Sequence, residues 1–285
     1  MPARHRLAPL ALLLPATLAG CGSLEYSVDE SHVATADTPS EQATAWLPEP
    51  GGPKSIGTST RWIDTADRSL PIQLWYPTDQ AIGERMPHMS NPVAGVLRSR
   101  TGELIPGGAE PGDELLATRV HDVDAAISYL AGGGDAVLDS IDGNRVAVLG
   151  HSYGGATAAQ VAAINPAVRA VGVLDATVLG TVAAEGLDVP TLLLTAGDLD
   201  PTRERFWDLL TGPRTGWQLN RAGHFTFTDL ATLIPALGPA DSLSTFGIGT
   251  DPNSTSTAVR ELARSFLDQH LDSDTDVSDQ FRPIS

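Results

Sequence analysis

A single cysteine, Cys21, is all that the 285-residue chain contains, so no disulfide can close within it and no cysteine-ligated zinc or iron–sulfur site can be built. Basic residues are scarce too: 18 Lys and Arg stand against 35 Asp and Glu, a formal charge of −17. A nucleic-acid binder needs a cationic face to displace counterions from phosphates, and this balance argues against one. The same deficit disfavours adsorption of the folded body to anionic lipid and fits a surface kept soluble by its own charge. Gly51-Gly52 and Gly132-Gly133-Gly134 lack the G-x-G-x-x-G context of a dinucleotide site. Asp198-Leu199-Asp200 lacks the ligand spacing of a calcium loop. No internal repeat is visible. The expectation is a protein that works without metal or cofactor.

Apolar residues make up 41% of the chain, enough for a substantial core, and 28 Gly with 21 Pro imply many punctuated loops. The start is set apart. Arg4 and Arg6 precede the apolar run Leu7–Leu18, which is too short to span a bilayer comfortably, and small residues follow. This is the layout of a secretory signal. Its last four residues, Leu18-Ala19-Gly20-Cys21, resemble the bacterial lipobox, which implies removal of residues 1–20 and lipidation of Cys21 on the extracytoplasmic face of the cell membrane. Residues 21–55 read as a tether rich in Ser, Thr, Glu, Pro and Ala, and residues 272–285 as an acidic, solvated tail.

Between them, short apolar runs alternate with helical periodicity. Leu70–Tyr76 alternates like a strand ending at Pro77, and Pro92–Leu97 is a further short strand candidate in a stretch, 78–118, that is otherwise hard to place. Val120, Val123, Ile127 and Leu130 recur at helical spacing. Val146–Leu149, Val168–Leu174, Pro190–Thr195 and Thr215–Leu219 read as buried parallel strands; Gly154–Ile164, Thr202–Leu210 and Ala258–Leu271 read as helices. Strands alternating with helices imply a three-layer α/β sandwich around a mostly parallel sheet.

Gly150-His151-Ser152-Tyr153-Gly154 is a G-x-S-x-G motif lying between an apolar strand and a helix of small residues. That context makes it a sharp turn that lifts the Ser152 hydroxyl above the sheet, with the Tyr153 backbone N–H as first oxyanion donor. A hydroxyl needs a base. His224, on a Gly-preceded loop beyond the last strand candidate, is the best placed of the histidines; His151 reads as a flanking packing or orienting residue. The orienting acid has three candidates at strand ends: Asp175, Asp198 and Asp200. Asp200 precedes Pro201 and is also explained as a helix N-cap.

The segments GHSYGGATAAQ, VLDAT and GHFTFTD, with the earlier RSLPIQLWYP, resemble the plasma-type platelet-activating-factor acetylhydrolase family of α/β-hydrolases over roughly residues 56–271. The resemblance implies an α/β-hydrolase domain there, with Ser152, Asp175 and His224 as catalytic residues and Asp200 as the alternative acid. It also implies action on short or oxidised acyl esters of phospholipids and other small esters. The chain departs from the family at Pro92–Gly102, where no His-Gly or Pro-Gly loop supplies a second oxyanion donor. The stretch before Gly150 is short, which implies fewer strands than the usual eight.

These features together point to a lipid-anchored serine ester hydrolase whose partners are a small ester or lipid and the membrane. Two other readings stand beside it: a catalytically impaired surface lipoprotein with a binding or structural role, for which the missing oxyanion segment speaks, and a serine peptidase or amidase on the same scaffold.

Overall fold

The computed structural model describes residues 11–13, 51–79, 113–237, 243, 247–272 and 280–284. Six strands form one sheet in the spatial order β1 (Ala11–Leu13), β4 (Val146–His151), β5 (Val168–Leu174), β6 (Thr191–Ala196), β7 (Arg214–Leu219) and β8 (Gln280–Ile284). Every pairing in it is parallel. The strands β2 (Ser55–Asp64) and β3 (Ser69–Thr78) form a separate antiparallel hairpin. The architecture is a mixed α/β sandwich with a parallel core, and the main sheet has fewer than eight strands among the described residues.

The central strands carry apolar side chains on both faces because both faces are covered. On one face Val148, Val171, Val173 and Leu193 pack under the helices α1 (Asp113–Ala131), α2 (Tyr153–Ile164) and α4 (Pro201–Leu209). On the other, Ala147, Leu149, Ala170, Leu192 and Leu194 meet Val259, Phe266 and Leu271 of α6 (Pro252–Asp272). Phe206 of α4 is wholly buried in the first layer. Truncating such a ring to Ala costs about 3–5 kcal/mol.

Helix α1 explains how the hairpin is attached. It opens on Asp113 and Glu114, whose charge suits the helix N-terminus. One stripe, Leu116, Val120, Val123 and Ile127, faces the sheet side. A neighbouring stripe, Ala126 and Leu130, packs with Ile63, Ile72 and Leu74 of the hairpin. The short helices α3 (Val182–Glu185) and α5 (Leu230–Leu237) complete the description. No helix among the described residues is long and apolar enough to cross a membrane.

Several elements differ from the sequence reading. The strand placed at Leu70–Tyr76 runs through Pro77 to Thr78, with Pro77 opposite Ile56. Its partner Ser55–Asp64 begins at the last residue of the expected tether and was not marked as a strand, because its alternation is mostly Ser, Thr and Gly. Gln280–Ile284, assigned to a solvated acidic end, adds instead to the free edge of β7. Ala11–Leu13, within the stretch read as a signal, pairs with β4. Pro235 lies inside α5, and Pro252 and Asn253 open α6. Cys21, the 21–50 part of the tether and the Pro92–Gly102 segment with Arg98, Ser99 and Gly102 lie outside the described residues.

Candidate active site

The C-terminal ends of β4, β5 and β6 converge where a parallel sheet presents its loops. Strand β4 ends in His151 and passes into α2 through Ser152, which has φ 56° and ψ −130°. A left-handed conformation is costly for a residue with a Cβ, and only two non-glycine residues among those described adopt one, Ser152 and Asp175 (φ 47°). Crowding explains why glycines surround Ser152. A Cβ on Gly150 would overlap the Gly154 carbonyl, and one on Gly155 would come within 2.6 Å of the Ala176 Cβ. The turn is closed by hydrogen bonds from the Ser152 N–H to the Leu174 carbonyl (2.9 Å) and from the Gly155 N–H to the Ser152 carbonyl (2.8 Å). Tyr153 is the first residue of α2, so its N–H belongs to the first turn, whose donors have no intrahelical acceptor.

The structure brings His224 between the other two. Its Nδ1–H donates to Asp175 Oδ2 at 2.7 Å, and its Nε2 accepts from the Ser152 hydroxyl at 3.0 Å. His224 opens a 3₁₀ turn, His224–Phe227, held by the Gly223 N–H to Thr226 Oγ1 (2.8 Å) and the Phe225 N–H to the Gly247 carbonyl (3.0 Å). Its side chain is 41% exposed, open to a substrate, whereas that of Asp175 is 5% exposed.

Asp175 is held on every side. Its N–H donates to the Leu194 carbonyl at 2.7 Å. Its Oδ1 accepts from the Ala196 N–H at 2.9 Å and lies 3.1 Å from a terminal guanidinium nitrogen of Arg203. Burial alone would push its carboxyl up. The His224 hydrogen bond, the Ala196 N–H and the Arg203 charge together outweigh burial and hold it below the usual carboxylate range.

The other candidates sit elsewhere. Asp200 caps α4, its Oδ1 accepting from the Thr202 and Arg203 N–H groups at 2.8 and 3.0 Å. Asp198 accepts from Gln218 at 2.7 Å. Neither meets His224 among the contacts described. His151 donates from Nε2 to the His224 carbonyl at 2.7 Å, its ring lies 4.5 Å from that of His224, and its buried Nδ1 has no partner. Burial first, then the neighbouring His224, lowers its pKa to about 4, so it stays neutral. His121 is exposed on α1, and His270 packs on Phe266 at 4.7 Å. Among the described residues no three His, Cys, Asp or Glu side chains gather as a metal-binding group. Sequence reasoning missed Arg203. No local pattern marks it, since it reaches Asp175 across 28 residues of chain.

An acid, an imidazole and a hydroxyl in this order can pass a proton from the hydroxyl to the imidazole while the carboxylate fixes the tautomer. Against known proteins, the family model for platelet-activating factor acetylhydrolase, isoform II, matches residues 134–282, just over half of the chain and all three of these side chains. Among solved structures, a ferulic acid esterase from Streptomyces cinnamoneus is similar over 78% of this chain and 92% of that one, with 23% identity and a TM-score of 0.66. At that identity the likeness speaks for the fold. No curated protein matches the chain.

Proposed function

This chain belongs to the platelet-activating factor acetylhydrolase, isoform II, family, an esterase-type hydrolase of the α/β-hydrolase superfamily, and from that premise we propose that it cleaves carboxylic esters through Ser152, His224 and Asp175. The observation that carries the proposal is the continuous hydrogen-bonded line from Asp175 Oδ2 through His224 to Ser152 Oγ.

In this reading Ser152 Oγ forms a bond to the acyl carbon as its proton passes to His224 Nε2, and Asp175 stabilises the imidazolium. The negative oxygen that develops is met by the Tyr153 N–H at the head of α2, whose dipole favours negative charge. His224 then gives its proton to the leaving alkoxide, which leaves an acyl-serine. A water attacks that ester, its proton goes to His224, and collapse frees the acid and restores Ser152. The half-exposed His224 suits an ester that approaches from solvent. Short-chain acyl esters, phospholipid-type esters among them, are the substrate class.

The body is further proposed to be tethered outside the cell by a lipidated Cys21, on the strength of the Leu18-Ala19-Gly20-Cys21 sequence. Cleavage there removes β1, the described partner of β4 on that side. In Cys21→Ser the protein should leave the membrane fraction; an unchanged distribution sinks the anchor.

The test of the chemistry is covalent. A fluorophosphonate probe should label the protein, p-nitrophenyl acetate should be turned over, and both should vanish in Ser152→Ala while the fold persists. A folded protein that takes no label and turns over no ester favours the non-catalytic reading. Cleavage of amides in preference to esters moves the assignment to the peptidase or amidase class.

A further inference from the structure

The side of Asp175 turned away from His224 is not occupied by neutral donors alone. Arg203 places a terminal guanidinium nitrogen 3.1 Å from Asp175 Oδ1 and its Nε 3.2 Å from Asp200 Oδ2, and that Nε also donates to the Ala176 carbonyl at 3.0 Å. The side chain is 12% exposed. Its position on α4 makes this contact unlike an ordinary surface pair. Arg203 lies in the first turn of the helix, three residues after the cap Asp200. A cation there opposes the helix dipole, and burying an ion pair costs desolvation that a well-packed apolar residue avoids. The helix dipole and packing both select against a buried cation at this position. The two carboxylates are what it meets there.

We infer that Arg203 is a positioning residue of the triad: it clamps the far oxygen of Asp175 so that the near one faces His224, and its charge sets the acid edge of the pH range in which the site is active. The inference rests on the assignment of Asp175 and His224 above. The electrostatic part has a definite sign. A carboxylate stabilises the imidazolium, and a cation beside that carboxylate offsets part of its field. Removing the Arg203 charge therefore leaves the full field of Asp175 acting on the imidazolium that forms when the serine proton is taken up.

The other charged groups around the site leave this contribution standing. On β4, His151 is held neutral by its burial. On α4, Asp200 is committed to the helix cap as well as to Arg203. On the loops nearby, Asp198 accepts from Gln218, Asp251 pairs with Arg221 at 3.3 Å, and Asp229 follows the His224 turn. On α6, Arg260 donates to Thr257. Arg203 is the cation in direct contact with Asp175 among the described residues.

The experiment compares the full chain with Arg203→Gln, which keeps hydrogen-bonding capacity without charge, and Arg203→Lys, which keeps the charge. In kcat/KM against pH for a p-nitrophenyl ester, the acid limb of R203Q should move to higher pH by about one unit, that of R203K should stay near the parent, and KM should change less than about twofold. The same displacement should appear in the ¹⁵N imidazole shifts of His224 followed by NMR, which needs no turnover. Equal limbs in all three proteins, or a uniform loss of rate without displacement, overturn the inference and leave Arg203 a structural clamp. If the parent shows neither probe labelling nor turnover, the esterase reading fails, and the NMR displacement alone then decides the electrostatic claim.

Discussion

Ser152 and Asp175 occupy matching places at the ends of adjacent strands, and both have backbones in the left-handed region, yet they are held by opposite means. The Ser152 turn, closed by backbone hydrogen bonds, depends besides on what is missing from it. Gly150 and Gly155 have no side chains, and neither position has room for one. The Asp175 turn is kept by what reaches it: the Leu194 carbonyl, the Ala196 N–H, Arg203 and His224, all from other elements. A turn specified by crowding is written into a few neighbouring residues. A turn specified by polar contacts is written across the fold and can be loosened one partner at a time.

The largest effect that tests this contrast is expected at Asp175. Asp175→Asn replaces the acceptor of the His224 proton, favours the wrong tautomer and should lower kcat for ester hydrolysis about 10⁴-fold with the fold retained. Activity close to the parent would remove Asp175 from the triad. At the serine turn the strongest effect should be on stability. Gly150→Ala forces a methyl into the Gly154 carbonyl and should cost about 3 kcal/mol in a urea titration. Gly154→Ala, where a Cβ meets nothing within 4 Å, should be neutral or slightly stabilising. Equal costs at the two glycines would mean that crowding does not hold the turn.

His151 supplies a pH test of the link between the two turns. Its folded pKa of about 4 lies below the ordinary 6.5, so between those values the unfolded chain binds the proton and the native state resists it. Stability is complete above about pH 6.5 and falls as pH drops toward 4, by up to about 3 kcal/mol. His151→Gln, which can still donate to the His224 carbonyl and does not titrate, should flatten that slope in denaturation midpoints taken at pH 7, 5.5 and 4.5. An unaltered slope would place the acid sensitivity in other groups. The smallest effect belongs to Asp200→Asn. Asn is also a good cap, so about 1 kcal/mol or less of stability should go, with kcat nearly unchanged. A large loss of kcat there would point to Asp200 as the acid.

The same contrast runs through what could be read in advance. The alternation of apolar strands and helical stripes from Val120 to Leu271 is local and carried most of the architecture. Helix α2 is a run of small residues, and α4 is announced by Asp200 and Pro201. The hairpin strand Ser55–Asp64 was hidden because Gly57, Thr58, Ser59 and Thr60 carry little hydrophobic signal; their strand exists through its register with Ser69–Thr78. Gln280–Ile284 follows an acidic stretch and is strand by virtue of the free edge it joins.

In the candidate site, Ser152 was legible from its glycines and its place between strand and helix, and Asp200 from the proline after it. Among Asp175, Asp198 and Asp200, pattern alone left the acid undecided, because every one of them ends or follows an apolar strand. The sequence by itself determined the central strands, the helices that cover them and the serine turn, since steric exclusion and hydrophobic periodicity act between residues near one another in the chain. Only the tertiary structure decided which carboxylate meets His224, that Arg203 stands behind it, and that His151 donates to the backbone beneath it. Those contacts join residues 28 to 73 positions apart, and a hydrogen bond depends on distances that no spacing along the chain contains.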